Sequence, residues 1–192
     1  FGVSVHRDGA TVSIAGGQRL LGCRIDVPAD ISSAAFFLVA ASICPGADLL
    51  LRHVGVNPTR TGVLHILRAM GADITESAQR VVGGEPVADL RVRGAVLRGI
   101  DIPPEWVPLA IDEFPVLFVA AACAEGVTRL TGAEELRVKE SDRIAAMANG
   151  LSAIGLPVDA TADGMRIRGR GGEATPFAGG VVESRGDHRI AM

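Results

Sequence analysis

The sequence predicts an α/β (α+β) fold built from repeated βαβαββ units. An Ile-Asp-Val-Pro segment at residues 25–28 resembles an Ile-Asp-Ile-Pro segment at residues 100–103. Each is followed, in the same order, by an acid-led apolar segment, a β-like run, an amphipathic segment and strand-like residues. The matching segments lie about 75–85 residues apart, so each repeat has the length of one supersecondary unit.

Composition restricts the class of protein. Of the 192 residues, 48% are hydrophobic and 21% are charged, and the net charge is −3, as in an ordinary globular protein. The sequence has no excess of basic residues that would indicate a nucleic-acid partner. An anionic ligand would therefore have to be held by a few well-placed cationic side chains. The longest apolar runs, residues 34–44 and 115–124, are too short to cross a membrane. Three widely spaced cysteines without a CxxC motif favour a reducing, cytoplasmic location over a disulfide framework or a zinc site.

The first unit is predicted over about residues 25–99. Asp30 precedes an Ala-rich segment and is expected near the N-cap of a buried helix at residues 30–41. A β-like run follows at residues 49–51. The amphipathic helix after it has an apolar face formed by Val63, Ile66, Leu67 and Met70. Residues 89–94 close the unit as a strand.

The second unit is predicted over about residues 100–172 and repeats this order. A buried helix is expected at residues 112–122 and a β-like run at residues 127–130. The apolar face of the second amphipathic helix is formed by Ile144, Met147, Ala148 and Leu151. Residues 164–169 form the closing strand, and the glycines of residues 169–172 are interpreted as a surface turn rather than a nucleotide-binding loop.

The two ends of the chain indicate a fragment of a longer protein. A truncated third unit is expected over residues 173–192, because Asp187 is followed by only the first turn of another apolar helix. Residues 1–24 are expected to end a first domain, with a β-like run at residues 11–14. Residues 25–192 would then form most of a second domain.

Charged residues gather where the second amphipathic helix begins. Lys139 and Glu140 come just before this helix, and Arg143 lies in its first turn. Free N–H groups at a helix start favour anions, so a cation there opposes the helix dipole. Arg189 repeats the pattern at the next acid-led helix. A solvated charged loop is the simpler interpretation of one such run, but two arginines so placed favour a bound phosphate or carboxylate.

Two further positions have open interpretations. Asp112 fits the N-cap of its helix, and it equally fits a general base, which would need a raised pKa or a tight hold on a substrate hydroxyl. For His188, a structural and a functional role are equally open. For residues 57–62, Asn-Pro-Thr-Arg-Thr-Gly, a turn and helix cap is favoured over catalysis.

These motifs, in this order, resemble the EPSP synthase family. Residues 137–143, Arg-Val-Lys-Glu-Ser-Asp-Arg, are similar to the second signature of that family, and residues 187–192, Asp-His-Arg-Ile-Ala-Met, to a late segment. Residues 111–115 and 57–62 resemble the glyphosate-tolerant bacterial subgroup. The resemblance runs along the whole chain and implies the enolpyruvyl transferase fold. That fold is an inside-out barrel, or prism, of two domains with three βαβαββ units each, and it would be incomplete here.

The resemblance also implies a reaction. Members of the family transfer the enolpyruvyl group of phosphoenolpyruvate to the 5-hydroxyl of shikimate 3-phosphate, in the shikimate pathway to chorismate and aromatic amino acids, without a metal or organic cofactor. Asp112 would accept the hydroxyl proton and hold the shikimate ring. Glu140 would move a proton at the methylene carbon of phosphoenolpyruvate. The substrate-binding residues that the resemblance implies are Asp112, Lys139 for shikimate 3-phosphate, Arg143 and Arg189 as a clamp for phosphoenolpyruvate, and His188 near the clamp.

The chain lacks other parts of the family pattern. Its sequence has no Lys-Ser-x-x-x-Arg phosphate segment and no Ser-x-Gln pocket, and at Glu135 some relatives carry an asparagine that contacts the ring. We therefore expect the chain to be inactive without the N-terminal half of the same enzyme. The full-length enzyme is expected to be a monomer. A UDP-N-acetylglucosamine enolpyruvyl transferase, a non-catalytic anion-binding module on the same fold and a fusion with another aromatic-pathway enzyme are the alternatives.

Overall fold

The computed structural model describes residues 1–171 and 177–192. In these residues the helices are α1 (Ile31–Ile43), α2 (Gly62–Ala69), α3 (Phe114–Cys123), α4 (Arg143–Ala153) and α5 (His188–Ala191). The strands are β1 (Val5–Asp8), β2 (Thr11–Ile14), β3 (Asp48–Gly55), β4 (Asp73–Val82), β5 (Glu85–Arg93), β6 (Val127–Leu130), β7 (Asp159–Ala160) and β8 (Met165–Arg168). Two 3-10 helices lie at Pro104–Trp106 and Glu134–Val138.

The predicted repeat is confirmed in its helices and in its last three strands. The first unit runs α1, β3, α2, β4, β5 and the second runs α3, β6, α4, β7, β8. Each unit forms a three-stranded antiparallel sheet with its last strand in the centre, in the orders β3-β5-β4 and β6-β8-β7. Because the chain follows the same path in both units, the buried helices α1 and α3 occupy equivalent positions in their units.

The first strand of each unit is not formed as predicted. Near these segments the chain forms only isolated parallel bridges, which pair Ala29, just after residues 25–28, with Val54, and Asp101, within residues 100–103, with Arg129. Prolines at the ends of these segments, Pro28 and Pro103, have no N–H group to continue a ladder. The sequence-based expectation of a β-strand there is therefore wrong.

The core is centred on α1 and α3, which pack against each other. Their composition is apolar on every side, and both helices bury most of their residues, including Leu38, Val39, Leu117 and Phe118. Burying one such side chain stabilises the fold by roughly 1.5–3 kcal/mol. The predicted cap is also confirmed, because the side chain of Asp30 accepts a hydrogen bond of 3.0 Å from the backbone N–H of Ser33.

The two amphipathic helices are confirmed as well. Every apolar-face residue predicted for α2 is buried, as are three of the four predicted for α4, the fourth being the half-buried Ala148. Gly150 lies inside α4, and the turn that ends this helix has Gly155 in the left-handed region at φ 87°.

Glycine also ends both sheets where the chain passes very close to a helix. A Cβ on Gly94 would lie 2.3 Å from the carbonyl oxygen of Cys44, the C-cap of α1. A Cβ on Gly169 would lie 2.1 Å from the carbonyl oxygen of Ala124, the C-cap of α3. Only a residue without a side chain permits this approach, and the contact is the same in both units.

The remaining segments lie at the ends of the chain. Strands β1 and β2 pair as an antiparallel hairpin, as expected for residues 1–24, and all their residues are exposed. The predicted boundary at residues 172–173, and with it Gly172, lies outside the described residues. In the parts that the structure describes, no helix is long and apolar enough to cross a membrane.

Candidate active site

The predicted site residues gather at the N-terminal ends of α3, α4 and α5. Arg143 is the first residue of α4, Asp187 is the N-cap of α5 and Glu113 is the N-cap of α3. Arg143 forms ion pairs with Asp112 and Asp187, and Arg189 forms one with Glu113. These contacts join the three helix ends into one cluster. Secondary structure therefore places these charges on rigid elements, a suitable support for a binding site.

Arg143 is the centre of this cluster. Its side chain is only 1% exposed, and its Nε lies 2.9 Å from Oδ2 of Asp187. Its Nη1 lies 3.2 Å from Oδ1 of Asp112, and its Nη2 lies 2.5 Å from Oε2 of Glu140. Three carboxylates from three chain segments thus compensate this buried cation. The charge of Arg143 is therefore balanced within the protein, and its position at a helix start is not by itself a reason to expect a bound anion.

Asp187 is the buried ion-pair partner of Arg143. Its side chain is fully buried, accepts a hydrogen bond of 3.0 Å from the Ser141 hydroxyl and caps α5 through the backbone N–H of Arg189 at 2.9 Å. Burial alone would raise the pKa of Asp187, but Arg143, the Arg189 N–H and Ser141 outweigh it and lower the pKa below its ordinary value. Asp187 is therefore a fixed anion at neutral pH.

Asp112 faces two cations. Its Oδ1 lies 3.5 Å from Nζ of Lys139 as well as 3.2 Å from Nη1 of Arg143. Partial burial would raise the pKa of Asp112, but Lys139, Arg189 and Arg143 lower it below its ordinary value. A raised pKa, one of the two conditions considered for a general base, is therefore contradicted, and a tight hold on the hydroxyl becomes the condition that matters.

The N-cap interpretation of Asp112 is also wrong. The helix begins at Phe114, its N-cap is Glu113, and Pro115 lies in its first turn. Proline has no N–H group and is accommodated only where a helix N–H would be free, so Pro115 fixes this start. Asp112 consequently lies in the turn before α3, with its side chain free of a capping role.

Lys139 connects Asp112 to the 3-10 helix before α4. Its Nζ lies 2.5 Å from Oε1 of Glu135, and this contact is the main cause that raises the pKa of Lys139. Lys139 is thus a permanent cation directed at Asp112. Glu135, which stands where some relatives carry a ring-contacting asparagine and whose role the resemblance left open, is here the ion-pair partner of Lys139.

Glu113 is a site residue that the sequence interpretation missed. Its carboxylate is only 5% exposed and lies 3.5 Å from Nη1 of Arg189, whose side chain is 14% exposed. Burial raises the pKa of Glu113 above its ordinary value, although the Ser32 hydroxyl and Arg189 act against this shift. The signal in the sequence was a second acid directly before a wholly apolar helix, where a charge is costly without partners.

Arg189 retains hydrogen-bonding capacity. Its Nη1 is buried and, among the described residues, makes no hydrogen bond, since the Glu113 oxygen at 3.5 Å is an ion-pair contact only. A buried guanidinium nitrogen without an acceptor is costly, which favours a bound anion at this place. His188, the residue before it, is exposed, and the contacts of the described residues do not bring its ring into the cluster.

Residues 57–62 form the turn that was predicted. The Asn57 side chain accepts a hydrogen bond of 3.1 Å from the backbone N–H of Thr59. The segment also supplies the predicted cap position, since Thr61 is the N-cap of α2, but the Thr61 side chain makes no capping hydrogen bond. Arg60 instead reaches the start of α1, where its Nη2 lies 2.9 Å from the Ser32 hydroxyl and 3.0 Å from Asp30.

The cluster can therefore bind anions and exchange protons. It holds three arginine or lysine cations beside carboxylates of differing burial, an arrangement that positions a charged substrate and offers proton acceptors. In the described part of the chain, no group of three histidine, cysteine or acidic side chains is placed to hold a metal ion.

Comparisons with known proteins agree on one family. The family model described as EPSP synthase (3-phosphoshikimate 1-carboxyvinyltransferase) matches residues 1–192. A 3-phosphoshikimate 1-carboxyvinyltransferase of Methylococcus capsulatus is 66% identical over 192 residues, and one of Halorhodospira halophila is 67% identical over the same length. All of this chain is covered, but only 43% and 42% of those two proteins.

A solved structure supports the same grouping. The chain is similar to an EPSP synthase from Acinetobacter baumannii with a TM-score of 0.93 and 57% identity. The match covers 100% of this chain and 44% of that chain. The chain therefore spans less than half the length of the relatives it matches.

Proposed function

The chain belongs to the EPSP synthase (3-phosphoshikimate 1-carboxyvinyltransferase) family, and on this premise we propose that it supplies part of the active site of such a transferase. The reaction would move the enolpyruvyl group of phosphoenolpyruvate to the 5-hydroxyl of shikimate 3-phosphate. One observation carries the proposal. A single buried guanidinium, that of Arg143, holds Asp112 on Nη1 at 3.2 Å and Glu140 on Nη2 at 2.5 Å.

This arrangement gives each carboxylate a separate task. Asp112 accepts the proton of the attacking hydroxyl and later passes it to the departing phosphate, while Glu140, in its protonated form, gives a proton to the methylene carbon of phosphoenolpyruvate and takes one back from the same carbon when phosphate leaves. The two protons move at different atoms of one tetrahedral intermediate, so acid and base must be distinct groups with a fixed separation. Arg143 supplies that separation because it is too deeply buried to move with the substrate.

The lowered pKa of Asp112 constrains how it works. An ionised Asp112 is ready to accept a proton at neutral pH, but it is a weak base, and Lys139 and Arg143 make it weaker. Proton transfer is then favoured only late, when the hydroxyl oxygen has begun to bond to the electrophilic carbon and has become acidic. A short hydrogen bond from the substrate hydroxyl to Asp112 is the required geometry.

The cations hold the two anionic substrates. We assign Lys139 to shikimate 3-phosphate and Arg189, with Arg143, to phosphoenolpyruvate. The incompletely bonded Nη1 of Arg189 supports this assignment, and the planar guanidinium suits a phosphate or carboxylate. His188 would lie at the rim of the phosphoenolpyruvate site, since it is exposed.

Other properties of the whole protein follow from the same proposal. Residues 1–24 end the first domain and residues 25–192 form most of the second, which leaves the other face of the site to the N-terminal half. The working enzyme is a cytoplasmic monomer without a metal or organic cofactor. Free thiols at Cys23, Cys44 and Cys123 fit a reducing compartment.

The test restores the missing half. Residues 1–192 replace the matching segment of the Methylococcus capsulatus relative, and release of phosphate is measured with phosphoenolpyruvate and shikimate 3-phosphate. We expect the chimera to turn over, and Asp112→Asn and Glu140→Gln each to lower kcat by roughly 10²–10⁴-fold. UDP-N-acetylglucosamine should not replace shikimate 3-phosphate. A chimera that folds and releases no phosphate contradicts the proposal, as does turnover by residues 1–192 alone.

A further inference from the structure

Glu113 is a buried carboxylate for which the proposed reaction has no use. It does not border the proton transfers assigned to Asp112 and Glu140, and its burial makes its charge costly. A charged group kept in such a place needs partners. The structure provides them on two sides, from the start of α1 and from α5.

On the first side, a chain of polar groups leads from Arg60 through Ser32 towards Glu113. Arg60 donates from Nη2 to the Ser32 hydroxyl at 2.9 Å, and the side chain of Ser32 in turn lowers the pKa of Glu113, which favours the charged carboxylate. Ser32 is only 2% exposed. An arginine can only donate, so the Ser32 oxygen accepts from Arg60 and its one proton is left for the carboxylate side. The chain thus directs the Glu113 carboxylate from the first unit.

On the second side stands Arg189, between two acids that are neighbours in the sequence. Its Nη1 lies 3.5 Å from Glu113, and its charge also acts on Asp112. Asp112 is half exposed to the site, whereas Glu113 is buried. Without Glu113, Arg189 would be attracted to Asp112, the carboxylate that has to accept the substrate proton.

We infer that Glu113 is a positioning residue that, held through Ser32 by Arg60, keeps the Arg189 guanidinium directed at phosphoenolpyruvate and away from Asp112. The inference rests on the proposed function, because it assigns Arg189 to that substrate. It also gives the 57–62 turn a task, since Arg60 in the first unit then controls the anion site in the second. Glu113 itself touches no substrate.

The test uses the full-length chimera and the substitution Glu113→Gln. The amide preserves the shape and an oxygen that can face Ser32, but it removes the charge that holds Arg189. We expect KM for phosphoenolpyruvate to rise roughly tenfold or more and KM for shikimate 3-phosphate to stay within about twofold. Glu76→Gln is the matched control, since Glu76 pairs with Arg68 at 2.8 Å away from the cluster and should leave both constants unchanged.

A double substitution separates positioning from a general loss of structure. If Glu113 acts through Arg189, Glu113→Gln should add less than about twofold to KM for phosphoenolpyruvate once Arg189→Ala is present. Should Glu113→Gln lower the melting temperature of the chimera by more than about 5 °C, Ser32→Ala takes its place with the same expected split between the two constants.

The outcomes distinguish this inference from the proposed function. If the unsubstituted chimera is inactive, the proposed function fails. If that chimera is active and Glu113→Gln leaves KM for phosphoenolpyruvate unchanged, the inference alone is overturned. A similar rise in both constants, or a full additional loss on top of Arg189→Ala, also overturns it, because either result describes a structural effect rather than the orientation of Arg189.

Discussion

At the scale of single residues, burial decides what each charge in the cluster does. Arg143 is the largest fully buried side chain in the part of the chain that the structure describes, and one of its partners, Asp187, is buried with it. Removing a charge from water is costly, and the attraction between partners compensates only when the geometry is good. The pair is thus a rigid support for Asp112 and Glu140 rather than a source of net stability.

Breaking this pair should be far more costly than breaking an exposed one. Asp187→Asn keeps an oxygen to cap α5 but leaves Arg143 without its buried partner, so we expect a loss of about 3–5 kcal/mol in the free energy of unfolding. Asp142→Asn is the matched control, because Asp142 also caps a helix and pairs with an arginine, Arg137, at a half-exposed place. Its loss should be below about 1 kcal/mol. Urea unfolding of the chimera measures both, and equal losses would contradict the explanation.

The buried acids should also give opposite pH dependences. The pKa of Glu113 is raised above its unfolded value of 4.5, so the stability it contributes is present below that pH and is lost as the pH rises through the folded pKa. The pKa of Asp187 is lowered below 3.8, so its contribution is present above that pH and is lost as the pH falls through the folded pKa.

Urea unfolding of the same variants between acid and neutral pH tests these signs. Relative to the unsubstituted chimera, Glu113→Gln should become more favourable as the pH rises, because the variant has no charge to bury. Asp187→Asn should become less destabilising as the pH falls towards and below 3.8. Parallel pH profiles for the two variants would show that one of the two pKa directions is wrong.

At the scale of helices and strands, the two units share a plan but differ in detail. Both sheets have the last strand in the centre. In the first unit, long strands carry bulges at which His53 and Ala78 adopt positive φ angles of 59° and 49°. In the second unit the strands have two to four residues. The shared plan places the helix ends, and the site then depends on the loops and helix starts, which differ between units.

The close approach of glycine to a helix C-cap should be essential in both units. Gly94→Ala and Gly169→Ala would each force a carbon against a carbonyl oxygen, and we expect losses of about 1–3 kcal/mol, as for overpacked cores. Gly22→Ala should change stability by less than about 0.5 kcal/mol, because nothing lies within 4 Å of the added carbon. Melting temperatures of the three variants check this. A neutral Gly169→Ala would contradict the shared packing.

At the scale of the whole molecule, the β1–β2 hairpin packs against no other part of the described chain. The β1–β2 hairpin is fully exposed, and Val5, Val12 and Ile14 each expose more than half of their surface. Apolar side chains so exposed on one short hairpin indicate a surface that packs elsewhere. The relatives are more than twice as long as this chain, which fits a hairpin that belongs to the other half of the protein.

Hydrogen exchange can test the place of the hairpin. In residues 1–192 alone, the amides of residues 5–14 should exchange rapidly, because a lone two-stranded hairpin is only marginally stable. In the chimera the same amides should be protected by at least about tenfold through packing against the N-terminal half. The amides of α1 serve as the internal reference and should be protected in both proteins. Equal rates for the hairpin would contradict the domain boundary near residue 24.

Much of the architecture was determined by the sequence itself. Helix periodicity, strand-like runs, the N-cap aspartate at Asp30 and the internal repeat are local patterns, and a pattern within one or two turns depends little on distant residues. The order of elements in both units was therefore predicted correctly from the buried helix onwards. The motif at residues 137–143 also pointed to the right family. The first strand of each unit was predicted but does not form, because proline interrupts hydrogen bonding between segments, and that pairing is a property of the sheet.

Only the tertiary structure decided how the charges work. Arg143 meets Asp112 across 31 positions and Asp187 across 44, and no local pattern reports such distances. The lowered pKa of Asp112 and the raised pKa of Glu113 differ in sign although the two residues are adjacent. Burial and the nearest cations set those signs, and both arise only when separate chain segments pack together. Residue types thus determined which groups are available, and packing determined their charge states and their partners.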